Sequence, residues 1–335
     1  MKILLISGFL GAGKTTFIKE LINRTDERPV IMENEYGDNN LDSKELKQAA
    51  SNRAGQADAG EQGLAASGGP NQEGIQILEF MEGCVCCTMK DSFVNSVLTV
   101  FSSLSPEYLI IEPTGVGKLS SIIDNLKPIL NTAVFLLRPV VIISPDNYRQ
   151  NMKEWPTLYR NQIANAKIVV FSKCEHTDPA VIADVINEVK KINPAAEIVS
   201  DHYTLKDKDW WDSLFKMEDK AFEAASANAV EADDKSAEES FSQVSIDKGG
   251  FRNPGELIQL LEDCLHGEYG HIARAKGTLW VSNEVLRFDL ADRLYAITDS
   301  PDDGCQCVFI GKNLDENKLR KRLCGGERTS RIMLK

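Results

Sequence analysis

A chain of 335 residues, 42% of them hydrophobic, is long enough for two domains with separate cores. Its 38 basic and 50 acidic side chains leave a net charge of −12, which repels nucleic acid and anionic membranes at long range and excludes a general role on either. No run reaches the roughly 18 apolar residues of a membrane span, so the expected setting is the cytoplasm. There, eight cysteines point to metal or redox chemistry before structural disulfides.

Residues 2–7 form a short apolar run that reads as a buried strand, and residues 16–22 continue with helical spacing. The apolar start is too short for a signal peptide, and no cleavage is expected. Gly8-Phe9-Leu10-Gly11-Ala12-Gly13-Lys14-Thr15 lies between strand and helix and matches G-x-x-x-x-G-K-[ST] at every defined position. In such a loop the backbone N–H groups of Gly11, Ala12 and Gly13 curl around phosphate oxygens, and the helix N-terminus adds favourable partial charge. Lys14 is expected to reach the β- and γ-phosphates, the Thr15 hydroxyl to hold Mg²⁺, and Thr16 to lie near the α-phosphate.

A second strand is expected at 29–34, followed by a polar turn. The stretch 48–74, rich in Ala, Gly, Ser, Gln and Asn, carries too little apolar surface to offset its ordering entropy and reads as a mobile insertion. Order resumes with a strand over 75–80, a cysteine turn and a helix through Phe93, Val97 and Phe101. Further strands follow at 108–111, 140–143 and 167–171, with helical stretches between. This alternation predicts an α/β domain over 1–217, a mostly parallel sheet with helices on both faces and the nucleotide at the strands' carboxyl ends. Residues 218–240 read as an acidic, solvated linker. A smaller α+β domain over 241–335 follows, with strands at 243–246, 278–281, 294–297 and 308–310, a helix through Leu257, Ile258, Leu260 and Leu261, and a closing helix at 315–323.

Three further constellations carry chemistry. Glu112-Pro113-Thr114-Gly115 ends a strand where a phosphate-loop enzyme senses its metal: Glu112 suits Mg²⁺-bound water and the Gly115 N–H suits the γ-phosphate. Ser172-Lys173-Cys174-Glu175 occupies the place of Asn-Lys-x-Asp in guanine-binding proteins; the Glu175 carboxylate can accept two hydrogen bonds from guanine, a donor pair adenine does not offer. Cys84, Cys86 and Cys87 place three thiols within four residues, enough for three of the four ligands of Zn²⁺, with Glu33 as an extra ligand; a redox pair and packing are the competing readings. Cys305 and Cys307 read as core, Cys174, Cys264 and Cys324 stand alone, and the four histidines form no ligand-spaced pair.

These motifs, together with Glu33-Asn34-Glu35-Tyr36-Gly37, Gln162-Ile163-Ala164-Asn165-Ala166 and, later in the chain, Arg274-Ala275-Lys276-Gly277 and residues 309–315, resemble the CobW branch of the CobW/HypB/UreG GTPases. The resemblance implies a metallochaperone that binds GTP and Mg²⁺, carries Zn²⁺ or a related ion (Co²⁺, Ni²⁺ or Fe²⁺) at Cys84, Cys86 and Cys87, and couples slow hydrolysis to delivery to a client metalloprotein. It carries the phosphate role to Lys14 and the Mg²⁺ role to Thr15. Ser172 and Glu175 depart from the family's Asn and Asp, and the linker lacks a His-rich tract. Two other readings stay open: an ATPase that activates or reduces a metal-cofactor protein such as a corrinoid protein, and a nucleotide-gated scaffold for a client.

Overall fold

The computed structural model describes residues 1–34, 76–80, 90–216, 241–300 and 304–324. The expected insertion over 48–74, the linker over 218–240 and the cysteines at 84, 86 and 87 lie outside these residues. The chain divides into two compact units, one holding the described residues up to Lys216 and the other those from Phe241 onward.

In the first unit, β1 (Lys2–Gly8), α1 (Lys14–Arg24), β2 (Val30–Asn34), β3 (Ile77–Phe80), α2 (Lys90–Leu104), β4 (Tyr108–Glu112) and α3 (Leu119–Leu126) come first. They are followed by β5 (Phe135–Leu136), β6 (Val140–Ile143), α4 (Tyr148–Glu154), α5 (Pro156–Asn165), β7 (Ile168–Phe171), α6 (Pro179–Ile192), β8 (Glu197–Val199) and α7 (Lys208–Lys216). The strands form one parallel sheet in the order β3-β2-β4-β1-β6-β7-β8, with the two-residue β5 also on β1. Every residue of β6 and β7 is buried, as is β1 from Ile3 on; a parallel sheet covered on both faces requires such continuous apolar strands.

β1 sits between β4 and β6, with β2 and β3 beyond β4 on one side and β7 and β8 beyond β6 on the other. That is the switch point at which an open α/β sheet leaves a crevice at its carboxyl end. The core on one face combines Leu4 and Ile6 with Phe17, Ile18, Leu21 and Ile22 of α1 and Trp211, Leu214 and Phe215 of α7. The 17/18/21/22 spacing is one helical stripe, and each such side chain contributes roughly 1.5–3 kcal/mol on full burial. Phe17 packs within 5.1 Å, centroid to centroid, of both Tyr203 and Trp211. The start of α1 is thereby clamped directly behind the glycine-rich loop.

The second unit contains β9 (Ser242–Ile246), β10 (Gly250–Phe251), α8 (Pro254–Leu265), β11 (His271–Val281), β12 (Glu284–Ala291), β13 (Leu294–Asp299), β14 (Gln306–Lys312) and α9 (Glu316–Cys324). The sheet is antiparallel in the order β13-β12-β11-β14-β9, with β10 added parallel to β11. The α+β expectation holds, with two strands more than expected: the two-residue β10, and β12, which follows β11 through a two-residue turn with Ser282 at φ 58°. Asp292 and Arg293, at φ 54° and 60°, make the next hairpin turn; positive φ at both central residues matches the right-handed twist of the flanking strands. Leu257, Leu260 and Leu261 of α8 and Leu319 and Leu323 of α9 join Leu279, Phe288 and Phe309 in one core, whereas Ile258 is exposed. Among the described residues no helix is long and apolar enough to cross a membrane.

Candidate functional site

The loop after β1 needs its glycines. Gly8 has φ 147°, and a Cβ there would fall 2.4 Å from the Ile142 carbonyl oxygen of β6. Gly11 and Gly13 have φ 76° and 90°, in the left-handed region that side chains disfavour. Gly13 is also the N-cap of α1; it offers no side-chain cap, and the first turn carries no acidic residue. The helix start therefore directs its early N–H groups and its partial positive charge toward the loop. Lys14 is buried, and its Nζ donates to the Phe9 carbonyl at 3.3 Å, so the amine is folded across the loop. Phe9 is itself seated against Trp155 and Tyr159, with centroids 5.8 and 6.2 Å away.

Across from α1, the Thr15 hydroxyl donates to Glu112 Oε1 at 3.1 Å and Oε2 at 3.3 Å. Two residues 97 apart in sequence meet because β4 lies next to β1 and ends level with the loop. Glu33 is buried and pairs with Glu112 in the β2–β4 register, placing a second carboxylate-bearing residue at the adjoining strand end. The turn after β4 presses on the loop: a Cβ on Gly115 would lie 2.6 Å from the Leu10 nitrogen and 2.9 Å from its Cα. Only a residue without a side chain permits that approach. Fully buried Gln162 of α5 fixes the turn from behind, its Nε2 donating to the Gly115 and Gly117 carbonyls at 3.3 and 3.2 Å.

After β7, the Ser172 hydroxyl donates to the Ala12 carbonyl at 2.7 Å, linking the end of this strand to the loop after β1. Lys173 follows in the left-handed region at φ 54° and is exposed. Glu175 is about half exposed, and its Oε1 lies 3.0 Å from His202 Nε2. His202 is held in turn by Thr204 Oγ1 at 2.7 Å from Nδ1 and by stacking on Tyr203, centroids 4.4 Å apart. Burial, followed by the neighbouring Glu175 charge, pushes the Cys174 thiol up, which makes it a poor nucleophile.

Lys14, Thr15, Glu112, Gly115 and Ser172 thus converge on one loop, with Glu33 at the adjoining strand end and Glu175 beyond Ser172. Cys84, Cys86 and Cys87 lie outside the described residues, and among the described ones no three His, Cys, Asp or Glu side chains gather as metal ligands. Gln162 and His202 have structural roles that the motifs do not announce. Gln162 carries a signal, a polar residue among Leu158, Tyr159 and Ile163 on the buried face of α5. His202 carries none, since its partner is 27 residues away on another loop.

A model of the CobW/HypB/UreG nucleotide-binding domain matches residues 2–200, and one of the cobalamin synthesis protein cobW C-terminal domain matches residues 241–325. The zinc chaperone YjiA of Escherichia coli (strain K12) is 23% identical over 343 residues, covering 96% of this chain and 97% of that protein. The zinc-regulated GTPase metalloprotein activator 1 of Schizosaccharomyces pombe is 25% identical over 203 residues, 59% of this chain and 45% of that protein. Among solved structures, Zn(II)-bound YjiA GTPase from E. coli aligns over 97% of this chain and 98% of that one, with 18% identity and a TM-score of 0.42. HypB from Helicobacter pylori in complex with nickel aligns over 64% and 83%, with 16% identity and a TM-score of 0.40. The family model spans more than half of the chain, the cobW C-terminal model covers most of the remainder, and the chain is a member of the CobW/HypB/UreG family.

Proposed function

We propose that this protein is a GTP-dependent metallochaperone that binds and hydrolyses GTP to control uptake and delivery of a transition metal, zinc first. The observation that carries the reading is the meeting of the Thr15 hydroxyl and the Glu112 carboxylate at the mouth of the glycine-rich loop. With the Gly13-capped helix start beside them, hard oxygen donors and phosphate-directed N–H groups share one place.

In this reading Lys14 leaves the Phe9 carbonyl and pairs with the β- and γ-phosphates, while the N–H groups of Gly11 to Thr16 cradle the rest. The oxygen-only pair Thr15 and Glu112 fits Mg²⁺: the Thr15 hydroxyl would hold the ion and Glu112 its bound water. When bound, that ion neutralises charge on the phosphates. Gly115, already pressed on Leu10, offers its N–H to the γ-phosphate, and Gln162 keeps the turn in place. Ser172 and Lys173 flank the base, and Glu175 accepts from its exposed donors. Among the described residues no general base stands out, so positioning and charge supply the catalysis and turnover is slow.

The cargo metal is held by Cys84, Cys86 and Cys87, with Glu33 the added ligand. These thiols fall in sequence between β2 and the turn at Gly115, the two elements proposed to respond to the γ-phosphate. A nucleotide drives release only if its two states hold the metal unequally. The deciding experiment titrates Zn²⁺, Co²⁺ and Ni²⁺ into apo protein with a non-hydrolysable GTP analogue, with GDP and without nucleotide. At least a tenfold spread in metal Kd between nucleotide states supports the proposal, and identical constants refute it. A client metalloprotein is the expected recipient. The ATPase reading retains one specific support, the Glu175 carboxylate already engaged by His202; competition between GTP and ATP on the purified chain separates the two.

A further inference from the structure

The sheet of the second unit has two edges, and they are finished differently. At the β9 edge, Arg320 of α9 reaches across, and its Nη2 donates to the Ser245 carbonyl at 3.0 Å. At the other edge, β13 bonds to β12 and, among the described residues, to no further strand. Its sequence, Leu-Tyr-Ala-Ile-Thr-Asp, runs in unbroken register and contains no proline, lysine or bulge, the devices by which natural edges discourage pairing.

The ladder fixes which backbone groups look outward. The Ser300 N–H donates to the Val285 carbonyl at 3.1 Å, and in an antiparallel pair such bonds recur at every second residue. The groups of Leu294, Ala296 and Thr298 therefore bond to β12, whereas the N–H and C=O of Tyr295, Ile297 and Asp299 point out of the sheet. The side chains are half-finished too. Tyr295 and Ile297 pack against the core but are only partly buried, and the Tyr295 hydroxyl donates to Glu262 of α8 at 2.8 Å. On the opposite face Leu294 is 74% exposed, with Ala296 and Thr298 exposed beside it.

We propose that β13 is a self-association surface, pairing antiparallel with β13 of a second copy of this chain about a two-fold axis at Ala296. The strand is complementary to itself in that register, as a two-fold interface requires. Tyr295 lies opposite the partner's Ile297, Leu294 opposite the partner's Thr298, and Arg293, in the turn before the strand, alongside the partner's Asp299. Residues with outward-pointing backbone thus meet each other, and each Tyr295–Ile297 pair exchanges both of its main-chain bonds. Opposite charges meet at both ends of the joined strands, and an aromatic side chain faces a β-branched one on either side of the axis. On the axis itself only alanine methyl groups face each other, so nothing holds the strands apart.

Other registers fit less well. A slip of one residue sets outward-pointing groups against groups already bonded to β12. The next register with matched backbone places the Asp299 carboxylate opposite the partner's Tyr295 and takes it away from Arg293. The two-fold also keeps the helices of both copies on the same side of the joined sheet, so the half-buried Tyr295 and Ile297 of each copy extend one continuous apolar face. The surface is independent of the nucleotide reading.

The test is analytical ultracentrifugation of the full chain, free of nucleotide and with EDTA present, so that neither ligand drives association. A monomer–dimer equilibrium is expected with a Kd of roughly 1–100 μM, in keeping with a small interface. Ala296→Lys places like charges on the axis at an exposed position and should raise that Kd at least ~10-fold with the thermal midpoint unchanged. Arg293→Asp and Asp299→Arg should each weaken the dimer and together restore it, which a general loss of fold would not do. In the unaltered chain, amide hydrogen exchange over residues 294–300 should slow as concentration rises. The proposal falls if the chain stays monomeric over that range, which would leave the edge to an extended segment of another protein. It falls equally if a dimer forms that Ala296→Lys leaves intact, or if the exchanged charge pair is no tighter than either single variant.

Discussion

The two units bury polar side chains in different ways. In the first, Lys14, Glu33, Thr114, Ser144 and Ser172 are buried at or just beyond the carboxyl ends of strands, with Gln162 on the helix behind them, while Thr25, Asn125, Asn151 and Asn193 are buried in or after helices. In the second, Lys276 and Thr278 are buried within β11, in the interior of a strand, and no loop collects them. Burying a polar group costs free energy unless partners satisfy it, so a concentration of such groups at one end of a sheet marks where a fold exchanges stability for chemistry. The second unit directs its burial into a sheet and two helices that pack on it.

Substitutions that strike each unit separately test this contrast. The largest effect is expected from Lys14→Ala: losing two charge-assisted bonds of about 1.5–3 kcal/mol each lowers nucleotide affinity at least ~100-fold, with the thermal midpoint of the ligand-free chain little changed. Isothermal titration checks this, and unaltered GTP binding would defeat the assignment of the loop. Next come two glycine substitutions with similar crowding and opposite expected readouts. Gly277→Ala places a Cβ 2.3 Å from the Gln306 carbonyl and destabilises the second unit by about 3 kcal/mol or more, with nucleotide affinity unchanged. Gly115→Ala forces the turn off Leu10 and lowers GTP affinity and hydrolysis together. If Gly277→Ala weakens GTP binding as much as Gly115→Ala does, the two units are not separable in function.

Gln162→Ala removes two hydrogen bonds worth about 1 kcal/mol each and loosens the Gly115 turn, so hydrolysis should fall more than GTP affinity does. The smallest effect belongs to His202→Ala. Freed from its imidazole partner, Glu175 samples more positions, and the GTP-to-ATP affinity ratio should change severalfold; an unchanged ratio separates His202 from base selection.

The loop after β1 was legible because each defined position answers a local demand: Gly8, Gly11 and Gly13 all have positive φ, and Lys14 and Thr15 begin the helix. β12 was missed although Leu286, Phe288 and Leu290 face the core, because Glu284, Arg287 and Asp289 break the apolar run that reveals a buried strand. Cys305 was read as core alongside Cys307, yet only Cys307 is fully buried, since Cys305 lies before the strand begins. The contacts of Ser172 with Ala12, 160 residues away, and of Gln162 with Gly115 depend on which strands become neighbours, and no local pattern encodes that.

The hydrogen bond between Ser172 and Ala12 has a consequence for ligand choice. It ties the segment proposed to meet the base to the segment proposed to meet the phosphates at a gap of 2.7 Å, so the reach from one end of the nucleotide to the other is gauged before any ligand arrives. A bare pyrophosphate or a nucleoside lacking phosphates engages a single jaw of that caliper, and a molecule of the wrong length cannot close both.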